Sequence, residues 1–169
     1  TELREVIFEE GMTIIPSYIM ARSLYLSSVE RVVIPNTVIE IGDEAFYNCI
    51  GLTSVNIPNE ITSIGESAFA GCKDLIEVKI NNNTGKDIMI KDGAFAGCTN
   101  LSNVELSENI TLIGASAFSG CSSLTNLSLP ESLVSVGSQM ICGTGITSIT
   151  IPQNLKTSYG YYYTGNNGA

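Results

Sequence analysis

The segment LTSVNIPNEITSIGESAFAGCKD, residues 52–74, decides the fold, because it returns in recognisable form about every 23 residues through most of the chain. Seven copies align on the apolar residue that opens each of them: Leu3, Val29, Leu52, Leu75, Leu101, Leu124 and Ile146. A sequence with such a period is one supersecondary unit that is copied and stacked. One copy cannot bury its apolar face alone, and stacking joins these faces into a continuous core.

Each copy begins with a short strand motif. Apolar residues stand at the opening position and three and five places on, as in Leu52, Val55 and Ile57, and this alternation predicts a half-buried strand. Proline follows the strand in four copies, where it can end pairing without removing a needed hydrogen bond. These prolines are Pro35, Pro58, Pro130 and Pro152.

Two further motifs complete the copy. The first is I-x-x-I-G, as in Ile61, Ile64 and Gly65, and its glycine predicts a turn with positive φ. The second is A-F-x-x-C, in which Phe69 and Cys72 stand three residues apart. That spacing predicts a single helical or 3₁₀ turn with both side chains on one side.

Stacking predicts that the A-F-x-x-C motifs form ladders of identical buried side chains. The ladder positions are Phe46, Phe69, Phe95 and Phe118, and Cys49, Cys72, Cys98 and Cys121. Parallel side chains on coils about 4.8 Å apart do not converge as a disulfide requires, so we expect free buried thiols. Cys142 falls one place after the Phe position and is expected to be more exposed.

Composition limits the function. The chain has 169 residues, is 44% hydrophobic, and carries a net charge of −9, which argues against nucleic acid or an anionic membrane as partner. It contains no histidine, no C-x-x-C and no phosphate-binding loop, so the sequence predicts neither an enzyme nor a metal or cofactor site. No apolar run could span a bilayer. No signal peptide is visible, and because the chain opens inside a copy, we expect it to be a piece of a longer protein.

Candidate binding residues lie between the core positions of the strands, where side chains should point out of the sheet. They are Glu5, Arg31, Asn56, Glu77, Lys79, Asn103, Glu105 and Asn126. The copy that opens at Leu75 also carries an Asn-rich insert, residues 81–87, whose candidate contacts are Asn82, Asn83 and Lys86. The alternative for the insert is a tolerated surface loop without a ligand.

Within the 23-residue period, A-F-x-x-C following I-x-x-I-G resembles the BspA-like leucine-rich repeat family, most clearly in IPNEITSIGESAFAGCKDLIEVKI, residues 57–80. The resemblance covers about residues 3–155. It implies a right-handed α/β solenoid with a concave parallel sheet and short helical or 3₁₀ turns on the other side. We expect the solenoid to occupy residues 1–158, followed by a Tyr-, Gly- and Asn-rich tail, 159–169, that covers its last edge or stacks on a sugar.

The resemblance also implies a secreted or cell-surface location and a role in adhesion. The leading hypothesis is a non-catalytic module that binds host or neighbouring-cell surface proteins or matrix proteins, without nucleic acid or membrane insertion. One alternative is a structural spacer in a multidomain surface protein. Another, suggested by the tyrosines of the tail, is an accessory carbohydrate-binding domain of a secreted enzyme.

Overall fold

A computed structural model describes residues 2–21, 26–82 and 84–159 of the chain. The polypeptide winds into a β-solenoid whose coils contribute short strands to two parallel sheets. Sheet A contains β1 (Glu5–Ile7), β3 (Arg31–Val33), β5 (Ser54–Asn56), β7 (Glu77–Ile80) and β9 (Asn103–Leu106) in that spatial order. Sheet B runs through β2 (Ile14–Ile15), β4 (Glu40–Ile41), β6 (Ser63–Ile64), β8 (Ile88–Ile90), β10 (Ile110–Ile113), β11 (Ser135–Gly137) and β12 (Thr157–Tyr159).

The register of sheet A follows the alignment of the sequence copies. Val32 pairs with Val55, Val55 with Val78, and Val78 with Val104, so equivalent residues of successive coils lie side by side. All four valines are buried. The strand motif and its stacking were therefore predicted correctly. Sheet B is formed by the I-x-x-I segments, which the sequence predicted only as short extended pieces.

The core is a ladder of stacked phenylalanines. The ring centroids of Phe46 and Phe69 are 5.0 Å apart, those of Phe69 and Phe95 5.3 Å, and those of Phe95 and Phe118 5.5 Å, with interplanar angles of 15° or less. All four side chains are fully buried. Phe8 meets Phe46 edge to face at 6.1 Å, so it covers the first end of the stack where Met20 replaces phenylalanine. The predicted Phe ladder is confirmed.

The A-F-x-x-C segments form turns, and the predicted helical turns on the far side of the solenoid are wrong. The amide of Phe46 donates to the carbonyl of Ala68 in the next coil at 2.8 Å, whereas the amide of Cys49 donates back to Phe46 at 3.1 Å. Every second amide of the segment therefore donates to a carbonyl of the neighbouring coil, so the consecutive hydrogen bonds of a helix cannot form. Glu44 and Asn48 have φ of 51° and 59°, which also breaks the helical path. The one 3₁₀ helix in the described residues, Leu26–Ser28, lies outside these segments.

The glycine of I-x-x-I-G is required for close packing, and the predicted positive φ is wrong. Gly65 and Gly114 do not have positive φ. A Cβ on Gly65 would lie 2.5 Å from the carbonyl carbon of Gly42, and one on Gly114 would lie 2.4 Å from the amide nitrogen of Asp92. The backbones of adjacent coils therefore approach more closely at this position than a side chain permits.

The ladder cysteines are buried free thiols, as predicted. The thiol of Cys72 donates to the carbonyl of Phe46 at 3.2 Å. Equivalent bonds of 3.1 Å join Cys98 to Phe69 and Cys121 to Phe95. These three thiols therefore fill the core as small apolar groups and also donate to a carbonyl of the preceding coil.

The last strand of sheet B reaches Tyr159, which pairs with Gly137. The solenoid thus extends at least to this residue, one place beyond the predicted boundary. The rest of the predicted tail, residues 160–169, lies outside the described residues.

Candidate binding surface on sheet A

The outward side chains of sheet A form two columns. In the first column Glu5 lies beside Arg31, Arg31 beside Ser54, Ser54 beside Glu77, and Glu77 beside Asn103. In the second, strand pairing sets Asn56 beside Lys79 and Lys79 beside Glu105. We call these two columns, over β1 to β9, the sheet A face. The structure brings together seven of the candidates there, namely Glu5, Arg31, Asn56, Glu77, Lys79, Asn103 and Glu105. Asn126 is exposed but lies beyond β9, in a segment that forms no strand.

Two groups of ion pairs hold most charges of the sheet A face. The guanidinium of Arg31 lies 2.9 Å from the carboxylate of Glu5. The ammonium of Lys79 lies 3.1 Å from Glu77 and 3.5 Å from Glu105, and the amide of Asn103 donates to Glu77. The ion-paired side chains are between four and seven tenths exposed, so the pairs orient the charges more than they stabilise the fold.

The same contacts shift the ionisation of the second group. Hydrogen bonds from Lys79 and then from Asn103 lower the pKa of Glu77. The hydrogen bond to Glu77 and the nearby charge of Glu105 raise the pKa of Lys79. Glu77 and Lys79 are therefore both charged over the whole neutral range.

A depression of about 350 Å³ lies between the two ion-paired groups. Its rim is formed by Arg31 and Val33 on one side and by Glu77 and Lys79 on the other. Its floor contains Ser54 and Asn56, and Ser54 is shorter than Arg31 and Glu77, which lie on either side of it in the first column. The volume lies near the lower end of the range for ligand pockets.

The insert after β7 is anchored by Asn82. This residue is buried, and its amide donates to the carbonyl of Ile61 at 2.8 Å. Its side-chain oxygen accepts from the amide and the hydroxyl of Thr84, at 2.7 and 2.6 Å. Its own carbonyl accepts from the side chain of Asn109 in the next coil at 2.8 Å. The prediction that Asn82 contacts a ligand does not fit these bonds, because its polar atoms are occupied inside the protein.

The remaining insert candidates differ in position. Lys86 is exposed, and its ammonium lies 3.2 Å from the carboxylate of Glu60 in the preceding coil. Asn83 lies outside the described residues. Glu60 follows Asn56 by four residues, so this ion pair joins Lys86 to the turn after β5.

Sequence reasoning missed two features of this surface. The role of Ser54 as the floor of the depression was not predicted, although the column Arg31, Ser54, Glu77 already showed a short residue between two long ones. The bonds that join Asn82 to other coils had no local signal, because Ile61 and Asn109 lie 21 and 27 residues away along the chain.

Neither a membrane-spanning helix nor a group of three metal-ligating His, Cys, Asp or Glu side chains occurs within residues 2–21, 26–82 and 84–159.

Comparison with solved structures supports the solenoid fold. A leucine-rich repeat protein from Bacteroides ovatus ATCC 8483 matches with a TM-score of 0.65 and 27% identity, over 92% of this chain and 45% of that one. A leucine-rich repeat protein from Eubacterium ventriosum ATCC 27560 matches with a TM-score of 0.50 over 96% of this chain and 46% of that one, and at 20% identity this likeness concerns the fold alone. The chain thus spans less than half the length of either protein.

Comparison with curated proteins gave no significant match. The sequence does match the family described as the BspA type leucine rich repeat region, with six copies over residues 17–88 and 88–168. This match confirms the resemblance carried by the I-x-x-I-G and A-F-x-x-C motifs, and the chain belongs to the BspA-type leucine-rich repeat family.

Proposed function

We propose that this chain is a non-catalytic protein-binding module of a secreted or cell-surface protein, and that the sheet A face is its binding surface. The observation that carries the proposal is the alignment of exposed charged and amide side chains in register across five strands, around a depression of about 350 Å³. Membership of a leucine-rich repeat family supports an interaction role. The partners in this proposal are host or neighbouring-cell surface proteins or matrix proteins, and the role is adhesion.

Charge reversal tests the proposal. The variant carries Glu77→Lys, Lys79→Glu and Glu105→Lys together, which inverts the ion-paired group beside β7 without changing buried residues. Binding is measured against a panel of purified matrix proteins and surface proteins, with a glycan array in parallel. We expect the variant to lose a partner that the unmodified chain binds, because charges opposed to those of a partner reduce association.

The matched control reverses exposed charges on a turn, through Lys73→Glu and Asp74→Lys. It should keep the affinity of the unmodified chain. If both variants bind equally well, the sheet A face is not the binding surface. A protein partner that is lost with the control variant but kept by the first variant would place the interaction on the turns instead.

A structural spacer is the second candidate, and one observation favours it. Most charges of the sheet A face are satisfied by each other, and the face has few of the aromatic and arginine side chains that dominate tight interfaces. Under this alternative neither the unmodified chain nor either variant binds any member of the panel. The carbohydrate-binding alternative rests on tyrosines of the tail, and it requires a signal on the glycan array that both charge variants retain.

A further inference from the structure

The depression on the sheet A face has the shape of a groove along a single strand. Ser54 and Asn56 lie on its floor, whereas Arg31 on β3 and Glu77 and Lys79 on β7 rise on either side. Since neighbouring strands are about 4.8 Å apart, the two walls stand on strands about 9.6 Å apart. This width admits one extended polypeptide chain and is too narrow for a helix, whose diameter with side chains is about 10–12 Å.

The floor offers hydrogen-bonding groups at the repeat of an extended chain. Ser54 and Asn56 point to the same side of β5 and are two residues apart, which corresponds to about 6.7 Å. An extended peptide aligned with β5 presents its own backbone groups to one side with the same two-residue repeat. The hydroxyl of Ser54 and the amide of Asn56 can each donate and accept, so they suit the N–H and C=O groups of such a backbone.

The two walls differ in charge, and their side chains can form hydrogen bonds beyond those already present. Arg31 is 67% exposed, and its pairing with Glu5 leaves further guanidinium donors free to reach the groove. On the opposite wall Glu77 is 43% exposed and has acceptor capacity beyond its bonds to Lys79 and Asn103. Successive side chains of an extended peptide point in opposite directions, so neighbouring residues of opposite charge can face the two walls at once.

We propose that the groove over β5 binds an extended segment of a partner protein in which an acidic residue, facing Arg31, is adjacent to a basic residue, facing Glu77. The proposal rests on the proposed function and specifies the partner segment. A sugar is a poorer occupant, because the groove is lined by Arg31, Val33, Ser54, Asn56, Glu77 and Lys79 and provides no aromatic side chain for stacking.

The test selects a phage-displayed library of random seven-residue peptides on the full chain, and the recovered peptides are synthesised for affinity measurement. We expect an adjacent acidic and basic pair to be enriched. Ser54→Phe fills the groove and should weaken the selected peptides about tenfold or more, the effect of losing about 1.4 kcal/mol. Ser123→Phe, the same substitution at an exposed serine on a turn, should leave the affinity within about twofold.

A second variant tests the charge assignment. Arg31→Glu should reverse the selection at the acidic position, so that two basic residues are recovered in place of the acid–base pair. Asn56→Arg, also on the groove floor, should reproduce the loss seen with Ser54→Phe, and matching circular dichroism melts will confirm that both variants are folded.

Three outcomes overturn the proposal. Peptides that bind the Ser54→Phe variant as tightly as the unmodified chain place the peptide site elsewhere. The charge assignment is wrong if the selected peptides lack the adjacent acidic and basic residues. It is also wrong if the Arg31→Glu variant selects the same pair as the unmodified chain. If no peptide is selected although a matrix or surface protein binds and is lost on charge reversal at Glu77, Lys79 and Glu105, the proposed function stands and the extended-segment proposal fails.

Discussion

At the scale of single residues, Phe69 carries the largest packing contribution that can be tested directly. It is fully buried and stacks between Phe46 at 5.0 Å and Phe95 at 5.3 Å. Phe69→Ala should lower the free energy of unfolding by about 3–5 kcal/mol, because it leaves a cavity that two rigid rings cannot fill. Urea denaturation measures the change. The control Ile76→Ala removes a side chain that is 53% exposed and should cost less than about 1 kcal/mol. A similar small loss for Phe69→Ala would contradict the stacked core.

Thiol reactivity should separate the ladder cysteines from Cys142. Burial raises the pKa of Cys49 to about 11, and burial, followed by the charge of Cys49, raises the pKa of Cys72 well above its usual value. A hydrogen bond with Cys121, together with burial, raises the pKa of Cys98. Because only the thiolate reacts, these thiols stay protonated and unreactive at about pH 8, where an ordinary cysteine is partly ionised.

Ellman's reagent applied to folded protein at about pH 8 should therefore label the half-buried Cys142 first. The other thiols should react at the rate of unfolding, and denaturant should expose all five. Replacement of Cys142 by serine is the control and should remove the fast phase. A fast phase of more than one thiol in the unmodified protein would show that the ladder is open to solvent.

Ser63 offers a stabilising substitution. Its side chain is only 7% exposed, and its hydroxyl finds no hydrogen-bond partner in the part of the chain that the structure describes. Ser63→Ala should raise the free energy of unfolding by about 1 kcal/mol, because it removes a buried polar group that has lost its water. The matched control Ser54→Ala acts on an exposed hydroxyl and should change stability by less than about 0.5 kcal/mol. A loss of stability in Ser63→Ala would show that the hydroxyl is bonded.

The sequence predicts the Phe and Cys ladders because each ladder position repeats the same residue type. It does not predict the burial of Ser63, which stands at a variable position of I-x-x-I. The residues beside Ser63 are Glu40 and Met89, at distances of 23 and 26 residues along the chain. Exposure at a variable position depends on such neighbours, and no local pattern encodes them.

At the scale of elements, the turns show where sequence reasoning failed and why. Phe and Cys three residues apart are compatible with a helical turn and also with the observed turn, in which alternate amides bond to the next coil. Local periodicity cannot distinguish these cases, because the competing acceptors belong to another copy. The repeated glycine after Phe carried the missing signal: Gly71, Gly97 and Gly120 have φ between 71° and 75°, the left-handed region that an α-helix does not contain.

Gly120 tests this account of the turn. It has φ of 74°, and a Cβ would lie 3.5 Å from the nearest atom, so space is available and the backbone conformation alone is tested. Gly120→Ala should cost about 1–2 kcal/mol in the free energy of unfolding, because an L-residue is strained in this region. Gly120→Asn should cost less, since asparagine tolerates it and Asn48 occupies the equivalent position with φ of 59°. Equal costs for the two substitutions, measured by urea denaturation, would contradict a conformational cause.

At the scale of the whole molecule, the candidate surface was predicted in part. The columns of the sheet A face follow from the alternation of strand residues and the stacking of copies, and the register between Arg31, Ser54 and Glu77 agrees with them. The groove was harder to predict than the columns, because it depends on how side-chain length differs between equivalent residues of successive coils. The extent of sheet A was also not predicted. Strand pairing in this sheet ends at β9, so Asn126 does not lie in register with the residues of the sheet A face.

A stacked array should also unfold unevenly, since each coil contacts only its neighbours. The first described coil has an open side, where Leu3 is 50% and Ile14 is 49% exposed, whereas the equivalent Leu52 of an inner coil is fully buried. Hydrogen exchange followed by mass spectrometry should therefore show the amides of β1 and β2 exchanging before those of β5 to β8, because local opening of an end coil exposes less apolar surface. Phe69→Ala should accelerate exchange most in the coils containing Phe46 and Phe95 and least in the coil containing β12. Protection that falls equally in every coil would mean that the solenoid opens only as a whole, and the nearest-neighbour account of its stability would then be wrong.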